Sequence, residues 1–147
     1  MDDDLRASVL ERLGPRPFVA HLGCELLAAE PGLVRMRLPW RAAHARSGLR
    51  PGESPSLHGG AAAALADIAA SSALVTVLRE GEGRTTVDLS IHYLAPLTGD
   101  VTAEARVRRR GGRTAVIDIE LRSGGADEPG AIARATMAIL PPRPAEH

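Results

Sequence analysis

Hydrophobic and polar positions change period several times along the chain, and each change marks an element. Leu5, Val9, Leu10 and Leu13 recur at helical spacing along one face, with Asp4 placed to cap a short helix and Pro15 and Pro17 placed to stop it. Beyond Phe18 to Leu22, Glu25 to Ala29 reads as extended, and Glu30-Pro31-Gly32 as a turn. Val34, Met36 and Leu38 then alternate with Arg35 and Arg37, the period of a strand with one buried face, so the two segments form a hairpin. From Trp40 to Leu57 no period is visible. Gly48, Pro51, Gly52, Ser54, Pro55 and Ser56 crowd this stretch, which is longer than an ordinary connection and reads either as a functional loop or as an unstructured one.

His58 to about Leu78 is the longest helical segment, with alanine at 61 to 64, 66, 69, 70 and 73 and no proline. Gly81-Glu82-Gly83 closes it. Four strand patterns follow. Thr85 to Leu94 sets Val87, Leu89, Ile91 and Tyr93 against Asp88, Ser90 and His92. Asp100 to Arg110 alternates Val101, Ala103, Ala105 and Val107 with polar residues, and Gly111-Gly112 turns the chain into Arg113 to Arg122. Ala131 to Leu140 is the last, stopped by Pro141-Pro142 ahead of a frayed tail. A lone long helix between antiparallel meanders buries its surface most simply when one curved sheet wraps it, an α+β architecture. The expected organisation is one domain over 1–147: a helix in 1–14, a core over about 18–140, and a tail at 141–147.

Composition narrows the function classes. With one Phe, one Tyr and one Trp, the core is built from aliphatic residues and alanine, which favours close backbone approach. Eighteen cationic residues, all arginine, balance eighteen acidic ones, so neither a basic excess nor an aromatic platform points to nucleic acid. Cys24 can form no internal disulfide and no zinc site by itself, and reads as a small buried thiol. The acidic start Asp2-Asp3-Asp4 is unlike a secretory signal, and no apolar run reaches the roughly 20 residues that span a bilayer, so a cytoplasmic protein with no membrane partner is expected.

Two places on the long helix carry candidate chemistry. Leu57-His58-Gly59-Gly60 opens it, where unpaired N–H groups and partial positive charge can polarise a carbonyl, and glycine lets a ligand come close. The same glycines could equally serve tight helix–sheet packing. Asp67 sits deeper, among Leu65, Ala66, Ile68 and Ala69, with only Ala63, Ala64, Ala70 and Ser71 at helical neighbour positions. An unpaired carboxylate there is costly unless it performs a task or meets a structural partner from elsewhere. His58 and Asp67 are nine residues apart, about 13 Å along a helix, too far for one chain to hold one carbonyl between them. A two-fold dimer would bring the glycine N–H of one subunit to Asp67 of the other. Arg108, Arg109, Arg110 and Arg113 offer guanidiniums suited to phosphate, or simply a solvated strand edge.

The run His58-Gly59-Gly60 with Asp67 seven residues after Gly60 resembles the helix of hotdog-fold acyl-CoA thioesterases of the phenylacetate-pathway and thioesterase-superfamily type. Thr86 to Pro96, Arg110 to Ala115 and Ala131 to Thr136 resemble later strands of that family in the right order, over roughly residues 18 to 140. The resemblance implies a hotdog fold and hydrolysis of an acyl-CoA thioester to free acid and CoA. It implies Asp67 as general base or nucleophile, the Gly59 N–H as oxyanion donor and the Thr86 hydroxyl beside the attacking water. His58 and Gly60 would shape the helix start, and Arg110 and Arg113 would meet the substrate. It further implies no metal and no cofactor beyond the CoA of the substrate, and a homodimer, possibly a dimer of dimers. One position departs from the pattern: Gly52 stands where the family usually carries Asn or Gln, with Glu53, Ser54 and Ser56 as nearby replacements. That departure leaves a non-catalytic acyl-CoA or acyl-carrier binding protein as the alternative.

Overall fold

The computed structural model describes residues 2–14 and 16–146. Helix α1 spans Asp3–Leu13, and Asp2, not Asp4, caps it: the Asp2 carboxylate accepts from the N–H groups of Asp4 and Leu5 at 3.0 and 3.4 Å. Starting two residues earlier leaves Asp3 and Asp4 in the first turn, where negative charge meets the positive end of the helix dipole. The expected stop at Pro15 lies outside the described residues. Pro17 does not stop a helix but begins one, α2 (Pro17–Leu22), because its missing N–H costs nothing in a first turn. Gly23, at φ 78°, ends α2 in the left-handed conformation that glycine takes without strain.

Strands β1 (Glu25–Glu30) and β2 (Leu33–Leu38) form the expected hairpin. The long helix, α3, runs Gly59–Val75, and β3 (Gly83–Tyr93), β4 (Val101–Arg110), β5 (Thr114–Ser123) and β6 (Ala131–Leu140) follow. All six strands pair antiparallel in one curved sheet of order β1-β2-β4-β5-β6-β3, with α3 packed against its inner face. This is the hotdog fold. The chain leaves β2, traverses the sheet through α3, and enters β3 on the far edge, so β3 hydrogen-bonds to a neighbour on one side only.

Alanine decides how closely helix and sheet approach. Ala62, Ala66, Ala69, Ala70 and Ala73 are fully buried together with Leu65 and Leu74, facing Met36, Ala103, Ala105, Ile117, Leu121 and Met137. The helix ends at Val75, about one turn short of the expected Leu78. There the Thr76 hydroxyl donates to the Ala73 carbonyl (2.6 Å) and accepts from the Gly32 N–H (2.7 Å), pinning the helix end to the β1–β2 turn.

The inward alternation expected of β4 and β5 is present, with Val101, Ala103 and Ala105, then Ala115, Ile117, Ile119 and Leu121 buried, and β6 alternates in the same way through Ala131, Ala133, Ala135, Met137 and Ile139. Strand β3 differs. A bulge between Thr86 and Asp88 inserts Val87 as an extra residue, so Val87 does not share a face with Leu89 and is 64% exposed. On either side of the bulge Thr86, Leu89 and Ile91 are half-buried. The outer face of the sheet carries exposed ion pairs, including Arg35–Glu104 at 2.7 Å and Arg134–Asp118 at 2.6 Å. Residues 141–146 have no regular structure, but Pro142 lies against Gly81.

Because α3 touches the sheet through methyl groups, Ala69→Leu is expected to lower unfolding stability by about 1–3 kcal/mol through overpacking, read from the shift of a urea unfolding midpoint.

Candidate active site

His58 is the N-cap of α3, and its Nδ1 accepts from the Gly60 N–H at 2.9 Å. The Ala61 and Ala62 N–H groups turn back to the His58 carbonyl at 3.0 and 3.1 Å. Among the described residues the Gly59 N–H meets no acceptor, and it stands at the positive end of a 17-residue helix. Both glycines sit in tight surroundings. A Cβ on Gly60 would come within 3.1 Å of the capping His58 ring, and one on Gly59 within 3.2 Å of the Tyr93 ring. The Tyr93 hydroxyl donates to the Gly59 carbonyl, tying the end of β3 to the first turn of α3.

The loop before α3 is held by its own polar network. The His58 N–H donates to the His44 carbonyl at 2.7 Å, beside a 3-10 turn at Ala42–His44. Arg46 donates through Nε to the buried Ser56 hydroxyl (2.7 Å) and through Nη2 to Glu53 (3.1 Å). Glu53 also accepts from the Arg50 N–H at 2.8 Å. Of the residues considered as replacements for an amide, Glu53 and Ser56 are therefore engaged with Arg46. Gly52 takes φ 84° in an exposed turn where an added Cβ would meet open space. The loop is thus ordered by Arg46, a residue with no distinguishing signal in the sequence.

Asp67 lies eight residues after Gly59, about 12 Å along α3. Its side chain is half-buried, and the Thr86 hydroxyl donates to its Oδ1 at 2.7 Å. No arginine reaches it: among the described residues none of the ion pairs includes Asp67. A Thr hydroxyl that donates to a carboxylate still has lone pairs to accept from water. The structure thus joins Asp67 with Thr86, and separately His58 with Gly59 and Gly60, but one chain does not unite the two groups. A cleft of ≈ 350 Å³ opens at Gly59, Tyr93, Leu94, Pro96 and Arg46, and a larger recess of ≈ 500 Å³ lies on the outer sheet face at Asp88, His92 and Arg134; Asp67 lines neither.

The arginines of the β4–β5 hairpin divide. Arg110 is tied to Glu82 and to the Gly111 carbonyl, and Glu82 is held below the usual carboxylate range chiefly by that contact. Arg108 pairs with Asp118 at 3.2 Å. Arg113 is exposed, and among the described residues its side chain has no partner. Cys24 is half-buried just before β1, and burial raises its thiol pKa.

A six-stranded antiparallel sheet curved on one long helix, with a carboxylate at mid-helix and a glycine pair at its start, places the chain among hotdog-fold proteins. The chain belongs to the thioesterase superfamily, whose family model matches residues 55–129 and so covers α3, Asp67 and Thr86. A Halobacterium salinarum protein provisionally named an esterase is 32% identical over 121 residues, 81% of this chain and 78% of its own length. A thioesterase from Haemophilus influenzae superposes with TM-score 0.77 at 26% identity, covering 92% of this chain and 91% of its own. The PaaI protein of the Escherichia coli phenylacetic acid degradation operon shares the fold, with TM-score 0.77 at 22% identity over 92% of this chain and 93% of its own. Membership supports thioester hydrolysis as the general chemistry. No helix among the described residues is long and apolar enough to cross a membrane.

Removing only the phenol oxygen of Tyr93 should leave the ring beside Gly59 but free the first turn of α3. Tyr93→Phe is expected to cost about 0.5–1.5 kcal/mol in unfolding stability and to speed amide hydrogen exchange at 59–62.

Proposed function

We propose that this protein hydrolyses acyl-CoA thioesters to the free acid and CoA, with Asp67 as general base or nucleophile. One observation carries the reading: among the described residues Asp67 is held by one hydroxyl hydrogen bond from Thr86 and takes part in no ion pair. A structural carboxylate on an alanine helix would be expected to pair with arginine, of which the chain has eighteen. Thr86 orients the carboxylate and accepts from the attacking water. The free Gly59 N–H supplies the oxyanion contact, and the span of about 12 Å between them requires that it come from a second subunit. The open edge of β3 supports such a homodimer: Val87, Tyr93 and Leu94 are 64%, 53% and 59% exposed beside an unpaired strand ladder. His58 and Gly60 hold the amide in place, and the exposed Arg113 is available to a CoA phosphate.

In this mechanism water attacks the thioester carbonyl as Asp67 takes its proton, charge develops on oxygen against the Gly59 N–H, and the thiolate leaves. Purified protein incubated with an acyl-CoA panel should release free thiol. Asp67→Asn should lower kcat by about 10²–10⁴ with little change in fold, as expected for loss of general-base catalysis. Thr86→Ala should lower it about tenfold, the worth of one oriented hydrogen bond. Equal turnover of wild type and Asp67→Asn would remove Asp67 from the mechanism. A second reading, an acyl-CoA or acyl-carrier binding protein without turnover, is favoured by Gly52, an exposed turn glycine where the family carries an amide. Binding of CoA esters with no thiol release in wild type selects it.

A further inference from the structure

Asp67–Thr86 is one of two rungs between α3 and β3. The next is Arg84, whose Nε donates to the Ser71 hydroxyl at 2.6 Å and to the Ser71 carbonyl at 3.1 Å. Ser71 follows Asp67 by one helical turn, about 6 Å. Arg84 precedes Thr86 by two residues, so both point inward, about 7 Å apart along the strand. The guanidinium of Arg84 therefore lies one rung beyond the candidate catalytic carboxylate, toward the C-terminal end of α3.

Among the described residues no carboxylate pairs with it, and Asp67 lies a full rung away. Its anchor, Ser71, is neutral. Burial first, and then the neighbouring guanidiniums of Arg16 and Arg12, bring the pKa of Arg84 down to about 10. Among the described residues, none of the ion pairs includes Arg12, Arg16 or Arg84. The carboxylate near this end of the helix, Glu82, is taken by Arg110 and by the Arg79 N–H (2.8 Å), while Arg12 Nη1 reaches only the Glu82 carbonyl at 3.1 Å. Arg84 is half-buried, and among the described residues its two Nη groups have no partner, so an anion entering beside them would offset the cost of that burial. A planar guanidinium with free Nη groups matches a carboxylate in forked geometry.

We propose that Arg84, with Arg12 and Arg16, forms a subsite for a carboxylate at the far end of the acyl group, so that the preferred substrates are CoA monothioesters of dicarboxylic acids. The proposal rests on the reading that the thioester carbonyl lies at Asp67. Length selects the acyl arm over the CoA arm. The distal carboxylate of a glutaryl or adipyl group is four or five bonds from the thioester carbon, roughly 5–6 Å, which matches one rung. The pyrophosphate of CoA lies some thirteen bonds from the sulfur, roughly 15 Å when extended, well past Arg84.

The test compares kcat/KM for glutaryl-CoA and adipyl-CoA with butyryl-CoA and hexanoyl-CoA, in wild type, Arg84→Gln and the surface variant Arg12→Gln/Arg16→Gln. Wild type should favour the carboxylated member of each pair at least tenfold. Both variants should lower that ratio, mostly through KM, and Arg84→Lys should restore part of it. The ratio is internal to each protein, so partial misfolding does not mimic the effect. A wild-type ratio near one, or variants that leave the ratio unchanged, overturns the proposal. Calorimetry with Asp67→Asn separates this result from the hydrolase reading. There glutaryl-CoA should bind at least tenfold tighter than butyryl-CoA, and the added Arg84→Gln change should erase the difference. If Arg84→Gln weakens unacylated CoA as much as glutaryl-CoA, the arginines serve the phosphates and the subsite is refuted. If wild type releases no thiol from any ester, the hydrolase reading fails, and the calorimetric difference alone decides the subsite.

Discussion

The structure depends on how closely a helix can lie against a curved sheet. A helix bearing Leu or Phe at every contact would stand farther from the strands, whereas α3 offers Ala62, Ala66, Ala69, Ala70 and Ala73, all fully buried. The backbones come together, and short side chains on the two elements can then touch. Thr86 is one of the shortest hydroxyl side chains available, yet it reaches Asp67 at 2.7 Å. At the next rung Ser71 meets Arg84 at 2.6 Å, where the long arginine side chain makes the reach. The small-residue surface that builds the core is thus the same feature that brings the polar rungs within hydrogen-bonding range. Interior packing at crystal-like density leaves little freedom for either rung to drift.

The two ends of α3 are fixed in different ways, and the difference bears on function. At the C-terminal end Thr76 closes the helix and also receives the Gly32 N–H, so the end is locked to the β1–β2 turn. At the N-terminal end His58 satisfies the Gly60 N–H and the Tyr93 hydroxyl holds the Gly59 carbonyl, yet among the described residues the Gly59 N–H has no acceptor. An open donor on a rigid first turn is a preorganised electrostatic element, because nothing has to reorient when negative charge develops near it. The loop that leads there owes its course to Arg46, which grips Ser56 and Glu53. Where the family pattern places an amide, this chain has a turn glycine, and the polar side chains nearby serve loop structure.

Charge distribution separates the outer face of the sheet from the interior rungs. On the outer face arginines alternate with carboxylates and neutralise one another in exposed pairs of small energetic worth. At the C-terminal end of α3 that balance fails: among the described residues Arg12, Arg16 and Arg84 have no carboxylate partner, while Arg110 holds Glu82. With eighteen cations against eighteen anions overall, the local excess reflects placement and not composition.

Local rules were enough for much of this molecule. Period-two alternation placed β2, β3, β4 and β5 to within a residue or two, and alanine content marked α3, because those patterns arise from side chains meeting one neighbouring surface at a fixed repeat. The motif from His58 to Asp67 was likewise readable, since its spacing along a helix follows from helix geometry. What the tertiary structure alone decided are contacts between segments distant in sequence. Thr86 meeting Asp67, Tyr93 covering Gly59, Arg46 holding Ser56 and Arg84 reaching Ser71 each depend on register between elements, which no local pattern encodes. The bulge at Val87 belongs to the same class: one inserted residue is invisible to a period-two reading, yet it sets which side chains of β3 face the helix. The start of α2 at Pro17 was misread because proline both stops a helix and begins one, and only the path of the chain around it selects between them.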